Sequence, residues 1–306
     1  MKIAAGIVLY NPNADRLKTC LDALTQQVDR IYIFNNSDSF VDEAQSESIA
    51  YYTEHKNMGI GYALNRIMEA ALNDGFDWVI TMDQDSIIPV GLVDAYKSVI
   101  ARANEIGIVC PQVIDKRRAY MEVKTTPKEE YVEFCITSAS CTSVNAWEKV
   151  GKFDEWLFID LVDNDFCKRL ILSGYKILKL NDMILNQEFG KIIPKSERSQ
   201  KFWVYVSKLL HNQNFAKFSY RKFVSPMRVY YTCRNIIYLN KKFKNYGGIG
   251  YRENYNCDTF FGFLICFVLP SIIRADEKMK TIKAVIKGFN DGRACDVATF
   301  KAVKHS

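Results

Sequence analysis

The chain has 306 residues, 48% of them hydrophobic and 25% charged. That is the composition of a folded globular protein, long enough for one large domain or a domain with an appendage. Its net charge of +6 hides an asymmetry: residues 1–190 hold 19 Lys and Arg against 28 Asp and Glu, while residues 191–306 hold 22 against 7. Nine cysteines without one Cys-x-x-Cys pair argue against a zinc site and for a reducing compartment.

Residues 2–10 (KIAAGIVLY) read as a first strand that starts directly after Met1, with no cleavage site, so a cytoplasmic location is expected. Asn11-Pro12-Asn13 turns into a helix over 15–27, with Leu17, Cys20, Leu21 and Leu24 at helical spacing, and a second strand follows at 31–34. A third strand at 49–53 precedes Gly59-Ile60-Gly61 and a helix over 62–73. Strands alternating with helices predict a parallel sheet covered on both faces. The glycines are too few for a dinucleotide fingerprint; they suit either a turn with positive φ or backbone amides meeting a phosphate.

Trp78–Met82 is an apolar run that ends in Asp83-Gln84-Asp85-Ser86. Residues two apart on an extended chain point the same way, so Asp83 and Asp85 can present both carboxylates to one site at the carboxyl end of a strand. Hard oxygen ligands suit Mg²⁺ or Mn²⁺ on a diphosphate; an Asx turn or helix cap explains the same residues equally well. Further on, a helix is expected over 92–104, a strand over 107–110, a solvated loop over 113–131, and a strand with a tight turn over 133–144. The small residues Ser138-Ala139-Ser140 let either a substrate or a packed element come close. Asp160-Leu161-Val162-Asp163-Asn164-Asp165 then opens a helix. Capping of free amides explains a carboxylate at either position and is the expectation for Asp165, whereas Asp163 beside the aromatic segment 156–159 could instead gain the proton affinity that a general base needs.

These pieces carry a family resemblance: VLYNP at 8–12, FNNS at 34–37, NMGIGYALN at 57–65, DQDS at 83–86, TSASC at 137–141, VGKFDEWLFIDLVDNDFCKRL at 150–170 and GYKI at 174–177. The chain resembles the family 2 inverting glycosyltransferases, and among them the bacterial rhamnosyltransferase-type enzymes of surface polysaccharide synthesis. The resemblance implies an α/β GT-A nucleotide-sugar-binding fold over 1–190, with a mixed, mostly parallel sheet, and a basic helical C-terminal region over 191–306. It places Asp83 and Asp85 on Mg²⁺ or Mn²⁺, with Asp85 the direct ligand, and Asp163 as catalytic base. Tyr10, Asn11, Asn35, Asn57, Gly61, Asn65 and Asp83 fall on the side of a dTDP- or UDP-sugar, with rhamnose leading. Ser138, Ser140, Asp160 and Gln187 fall on the side of a glycan or lipid-linked acceptor.

Two positions depart from the family pattern. Asn35 stands where many relatives have Asp, so a contact to the nucleotide base would lack charge. Gln187 stands where a His commonly helps hold metal or diphosphate, and Glu188 is a substitute to consider. These departures motivate the alternative of a catalytically weak sugar-nucleotide or glycan-binding subunit. In the basic third, 201–210, 230–238 and 282–292 read as helices. Residues 259–273 (TFFGFLICFVLPSII) are apolar but short of the roughly 20 residues of a spanning helix. They suit an interfacial helix on the inner leaflet, a buried helix or a dimer contact. No nucleic-acid-binding motif is present, and nucleic acid is not an expected partner.

Overall fold

The computed structural model describes residues 1–38, 47–103 and 105–302. They form two compact units, the first from residues 1–113 and 123–187, the second from residues 114–122 and 188–301.

The first unit is built on an eight-stranded sheet of β1 (Ile3–Leu9), β2 (Ile31–Asn35), β3 (Ile49–Thr53), β4 (Trp78–Asp83), β5 (Ile106–Ile114), β6 (Glu129–Val132), β7 (Ser140–Ser143) and β8 (Lys176–Asn186). Their spatial order is β3-β2-β1-β4-β7-β5-β8-β6. The pairs β3-β2, β2-β1 and β1-β4 are parallel. β7 then runs antiparallel to both β4 and β5, and β6 antiparallel to β8. Apolar side chains occupy both faces of β1 and β2 because helices cover the sheet on both sides, which is why these strands read as continuous apolar runs.

Helices α1 (Ala14–Thr25), α2 (Ile60–Asn73), α3 (Leu92–Ile100), α4 (Val144–Lys149) and α5 (Val162–Leu172) complete the unit. α1 starts where the Asn13 side chain accepts from the Arg16 N–H, and it buries Leu17, Cys20 and Leu24. α3 ends at Ile100, and Asn104, the expected end, lies outside the described residues. The chain leaves β1 outward through β2 and β3, then returns to the other side of β1 as β4. That reversal opens a crevice above the carboxyl ends of β1 and β4. Register keeps these ends level, since Val8 aligns with both Phe34 and Asp83, and Leu9 with Asn35.

Two local expectations change. The stretch expected to be a solvated loop contains β6, whose polar sequence EEYV suits the sheet edge it occupies. Of 133–144 only Ser140–Ser143 is a strand, because Ala139 at φ +56° turns the chain just before it.

The second unit holds the two-stranded β9 (Ile192–Pro194) and β10 (Tyr220–Lys222), with α6 (Glu197–Leu209), α7 (Pro226–Lys242), α8 (Tyr251–Tyr255), α9 (Phe260–Phe263), α10 (Leu269–Arg274) and α11 (Lys278–Ala294). α9 and α10 are joined by a π-helical turn, Leu264–Val268. α11 lies against α7 backbone to backbone: a Cβ on Gly288 or Gly292 would fall 2.5 or 2.6 Å from the carbonyl oxygens of Tyr230 and Arg234.

Candidate active site at the carboxyl ends of β1 and β4

Both sides of the crevice are tied together by polar residues that leave the strand ends. The Tyr10 N–H donates to Gln84 Oε1 at 2.7 Å, and Gln84 Nε2 donates back to the Tyr10 carbonyl at 3.1 Å. Gln84 therefore points to β1, and it stands with Asp85 in the turn that follows β4, so the extended alternation expected through Asp85 stops at Asp83. Asn11, at φ +46°, donates its N–H to Ser37 Oγ at 2.7 Å. Asn35 Oδ1 accepts from the Ser37 N–H at 2.9 Å and is buried. Asn36 joins the loop before α2, donating to Gly59 O and accepting from Met58 N, both at 3.0 Å. Asn57 is exposed and forms an Asx turn, its Oδ1 accepting from the Gly59 N–H at 2.9 Å. Tyr10 and Asn57 thus face solvent at the crevice, while Asn35 and Asn36 shape its floor.

Asp83 and Asp85 differ in setting. Asp85 is 41% exposed and its nearest cation is Arg16 of α1, at 3.7 Å. Asp83 is partly buried and accepts from Gln187 Nε2, so the position expected to carry a His places an amide on the first carboxylate of the motif. In that orientation the Gln187 Oε1 is buried without a hydrogen-bond partner. Turning the amide over would aim this oxygen at a cation on Asp83. No group of three His, Cys, Asp or Glu side chains is assembled for a metal among the described residues. Two carboxylates and one amide oxygen fit Mg²⁺ or Mn²⁺ that takes its remaining ligands from water and substrate phosphates. Glu188 lies elsewhere, 3.3 Å from Arg117 in the second unit. Beneath the motif, burial and then Asp85 and Asp83 push the Cys20 thiol up to about 12, so it remains a neutral core residue.

Asp163 comes from much later in the chain and lies within electrostatic range of Asp83. It stands in the first turn of α5, whose N-cap Leu161 is left-handed at φ +63°. Phe158 and Asp160 are also left-handed, at φ +60° and +65°. Such residues cost on the order of 1–3 kcal/mol each, and they persist only where surrounding contacts hold them. The contacts come from α2: the Ile60 N–H donates to Phe158 O at 2.6 Å, and a Cβ on Gly59 would fall 2.9 Å from the Phe158 backbone. Burial, followed by the charges of Asp83 and Asp160, pushes the Asp163 carboxyl up from 3.8 to about 7. Backbone N–H groups of Thr137 and of Asp163 itself act in the opposite direction.

Several sequence expectations need correction here. Asn65 is 3% exposed and its amide is fully engaged within the unit. Its Nδ2 donates to Phe153 O at 3.0 Å and Glu155 Oε1 at 2.8 Å, and its Oδ1 accepts from Trp147 Nε1 at 3.1 Å and Phe153 N at 2.9 Å. It clamps the 147–155 segment and has no group left for a nucleotide. Gly61 packs closely on protein, since a Cβ there would meet the Asp154 carbonyl at 2.9 Å, and this contact leaves the expectation for its backbone N–H as it stood. Ser140 is buried and donates its hydroxyl to Ile136 O at 2.5 Å, which closes the turn before β7 and removes it from an acceptor surface. Ser138 is buried as well, its Oγ without a partner. Asp165 is no cap: fully buried, its Oδ2 accepts from Arg169 Nε at 2.8 Å and Nη2 at 2.5 Å, and Arg169 also reaches Val150 O at 2.6 Å.

Two site residues escaped the sequence reading. Gln84 is a polar neighbour of both Asp residues, but it lies in the turn past β4, where strand alternation does not set its direction. Arg16 could not be found either, because nothing local links a helix residue to a carboxylate 69 positions later.

Residues 5–148 match the model of glycosyl transferase family 2. The dTDP-rhamnosyl transferase RfbF of Shigella flexneri is 25% identical over 258 residues, 78% of this chain and 80% of that protein. GalNAc-T7, solved with UDP, GalNAc and Mn²⁺, is similar in fold with a TM-score of 0.50 at 10% identity, over 88% of this chain and 57% of that one. S. aureus TarS gives a TM-score of 0.50 at 11% identity, over 95% and 55%. The chain thus spans little more than half the length of these two structures. With a mixed sheet that reverses its strand order between β1 and β4 and a helical C-terminal region, the fold is GT-A. The chain is thus similar to glycosyl transferase family 2 through residues 5–148, a little under half its length, and similar over most of its length to a dTDP-rhamnosyl transferase.

Proposed function

We propose that the crevice transfers a sugar from a nucleotide-diphosphate donor to an acceptor hydroxyl with inversion, and that dTDP-rhamnose is the leading donor. The observation that carries this reading is the placement of buried Asp163 within electrostatic range of Asp83, which ends β4 and lies 80 positions earlier in sequence. The donor assignment leans on the Shigella flexneri relative, whose name gives dTDP-rhamnose. Asp163 takes the proton of the acceptor hydroxyl. The hydroxyl oxygen bonds to the anomeric carbon while the bond on the opposite face breaks, its electron pair leaving with the diphosphate. A carboxyl with a proton affinity near neutrality is suited to this role. Asp85 and Asp83, with Gln187 beside them, would hold a divalent cation that offsets charge on the leaving diphosphate.

The test is a thermal-shift panel of nucleotide-sugars with and without Mn²⁺ or Mg²⁺, on the wild type and on Asp85→Ala. A metal-dependent rise for one donor, lost in the variant, is expected, because a ligand that binds only the folded state raises the melting temperature by mass action. No rise for any donor would overturn the donor-site reading. A rise without transfer to any acceptor would favour the binding-subunit alternative.

We further propose that the second unit rests on the anionic inner face of a membrane, as a peripheral attachment, where a lipid-linked acceptor would lie. Phe261, Ile265, Leu269 and Ile273 recur every four residues, and each is more than half exposed. The segment Tyr251–Arg274 is long and apolar enough to span by length and composition. Left-handed Asn256 and extended Thr259 interrupt it, however. The continuous helical run is therefore Phe260–Arg274, about 22 Å long against a hydrocarbon core of about 30 Å.

A further inference from the structure

The second unit gathers cations around one aromatic platform. Tyr220 and Lys222 lie two apart on β10 and so share a face. Arg118 sits with its guanidinium 5.3 Å from the Tyr220 ring centroid and 5.2 Å from that of Phe189, and Tyr120 stacks on Tyr220 at 6.5 Å. Lys217 and Phe218 are on the turn that feeds β10, and the Arg274 guanidinium covers Phe218 at 5.2 Å. Of the carboxylates among the described residues here, Asp115 is 1% exposed and already shared by Arg117 and Arg118, and Asp276 pairs with Arg221 at 3.4 Å. Lys217 donates to the neutral amide oxygen of Asn214 at 2.7 Å. Burial first, then the neighbouring charges of Lys222, Arg118 and Arg274, drive the Lys217 ammonium down to about 8, with Cys266 acting the other way. The Arg274 guanidinium is lowered by burial too. Half-buried cations that repel one another are held at a cost, and a multiply charged anion removes that cost.

We propose that Lys217, Arg274, Arg118 and Lys222 form an anion subsite of the second unit that takes the phosphate or diphosphate group of an amphiphile. Guanidinium forks match phosphate oxygens in pairs, and the lysines add compact charge. The amphiphilic source is favoured because the exposed apolar row of α9 and α10 ends at Ile273, the residue before Arg274. The inference does not depend on the donor site. It rests on the membrane reading only for its lipid source, and if both hold, the acceptor is phosphate-linked.

The test uses the full chain in the Asp85→Ala background with EDTA, so that binding at the donor crevice is removed from the measurement. Calorimetric titration with inorganic pyrophosphate is run beside flotation on phosphatidylcholine vesicles carrying either phosphatidic acid or phosphatidylglycerol. Pyrophosphate binding is expected, with preference for phosphatidic acid over phosphatidylglycerol. Lys217→Met and Arg274→Ala should each weaken both by about tenfold, the scale of one lost charge-assisted hydrogen bond. Lys217→Met should also melt higher than its parent in phosphate-free buffer, which separates loss of the site from loss of the fold. Pyrophosphate binding without vesicle preference would keep the subsite and assign it a soluble phosphate. Equal binding to both anionic vesicles with no pyrophosphate binding, or unchanged binding in both variants, would overturn the proposal.

Discussion

An uncharged Asp163 is the form that folding favours, because the folded carboxyl holds its proton up to about pH 7 while the unfolded one releases it near 3.8. Between these values the folded state binds more protons than the unfolded state, so stability falls as pH rises through the window. Asp163→Asn is therefore expected to flatten the pH dependence of the melting temperature and to raise it at neutral pH. The same change should lower turnover by about 100- to 10,000-fold, the range for a lost general base. Melting curves from pH 4 to pH 8 and single-turnover rates check both halves; a variant that loses neither stability slope nor rate would remove Asp163 from the chemistry. In the wild type, kcat/KM should rise with pH through an acid limb drawn below about 7 by the cation that the reaction would hold on Asp83. Removing the Asp83 charge with Asp83→Asn, or adding a cation beside it, should move that limb to lower pH, since the Asp83 charge helps raise the Asp163 proton affinity.

At the scale of elements, the base is positioned by α2 rather than by its own helix alone. In a free helix Gly61→Ala would help by about 1 kcal/mol. Here the added Cβ meets the Asp154 carbonyl at 2.9 Å, so the change is expected to destabilise by about 1–3 kcal/mol and to displace the Asp154–Glu155 segment that leads into the strained 158–161 turn. Urea unfolding gives the sign, and a stabilised variant would show that the turn is not held by this contact. α5 is anchored through the buried pair of Asp165 and Arg169. Arg169→Met leaves Asp165 buried with its ion-pair partner gone and should cost about 3–5 kcal/mol, more than any surface pair, while Asp165 and Arg169 replaced together should cost less than that.

On the scale of the whole molecule, an acidic catalytic unit and a basic helical unit are joined in one chain, and the second unit can be tested without touching the first. Ile265→Glu with Leu269→Glu removes two exposed apolar side chains, each worth about 1.5 kcal/mol or more when buried in lipid. Flotation on anionic vesicles should fall by more than about tenfold, with nucleotide-sugar thermal shifts unchanged. Loss of both together would mean that the substitutions unfold the chain, and loss of neither would rule out this face as the docking surface.

The sequence by itself determined the order of elements, because strand and helix periodicities are local and the apolar runs of β1, β2 and β4 announce a sheet covered on both faces. It also singled out Asp83, Asp85 and Asp163, whose carboxylates break an apolar run or open a helix. What it could not separate were polar residues facing the crevice from polar residues that hold it together. Asn65 and Ser140 lie inside family-like motifs, yet their bonding capacity is taken by Phe153 and Ile136, while Gly61 is Gly because a Cβ would meet Asp154. The partners of Asn65 and Gly61 lie roughly 90 positions away along the chain, and for Ser140 burial settled the matter. The electrostatic coupling of Asp163 to Asp83, the amide of Gln187 on that same carboxylate, and the cations around Tyr220 are likewise products of tertiary structure. Each joins residues far apart in the chain, and only the packed fold brings their charges close enough to change one another.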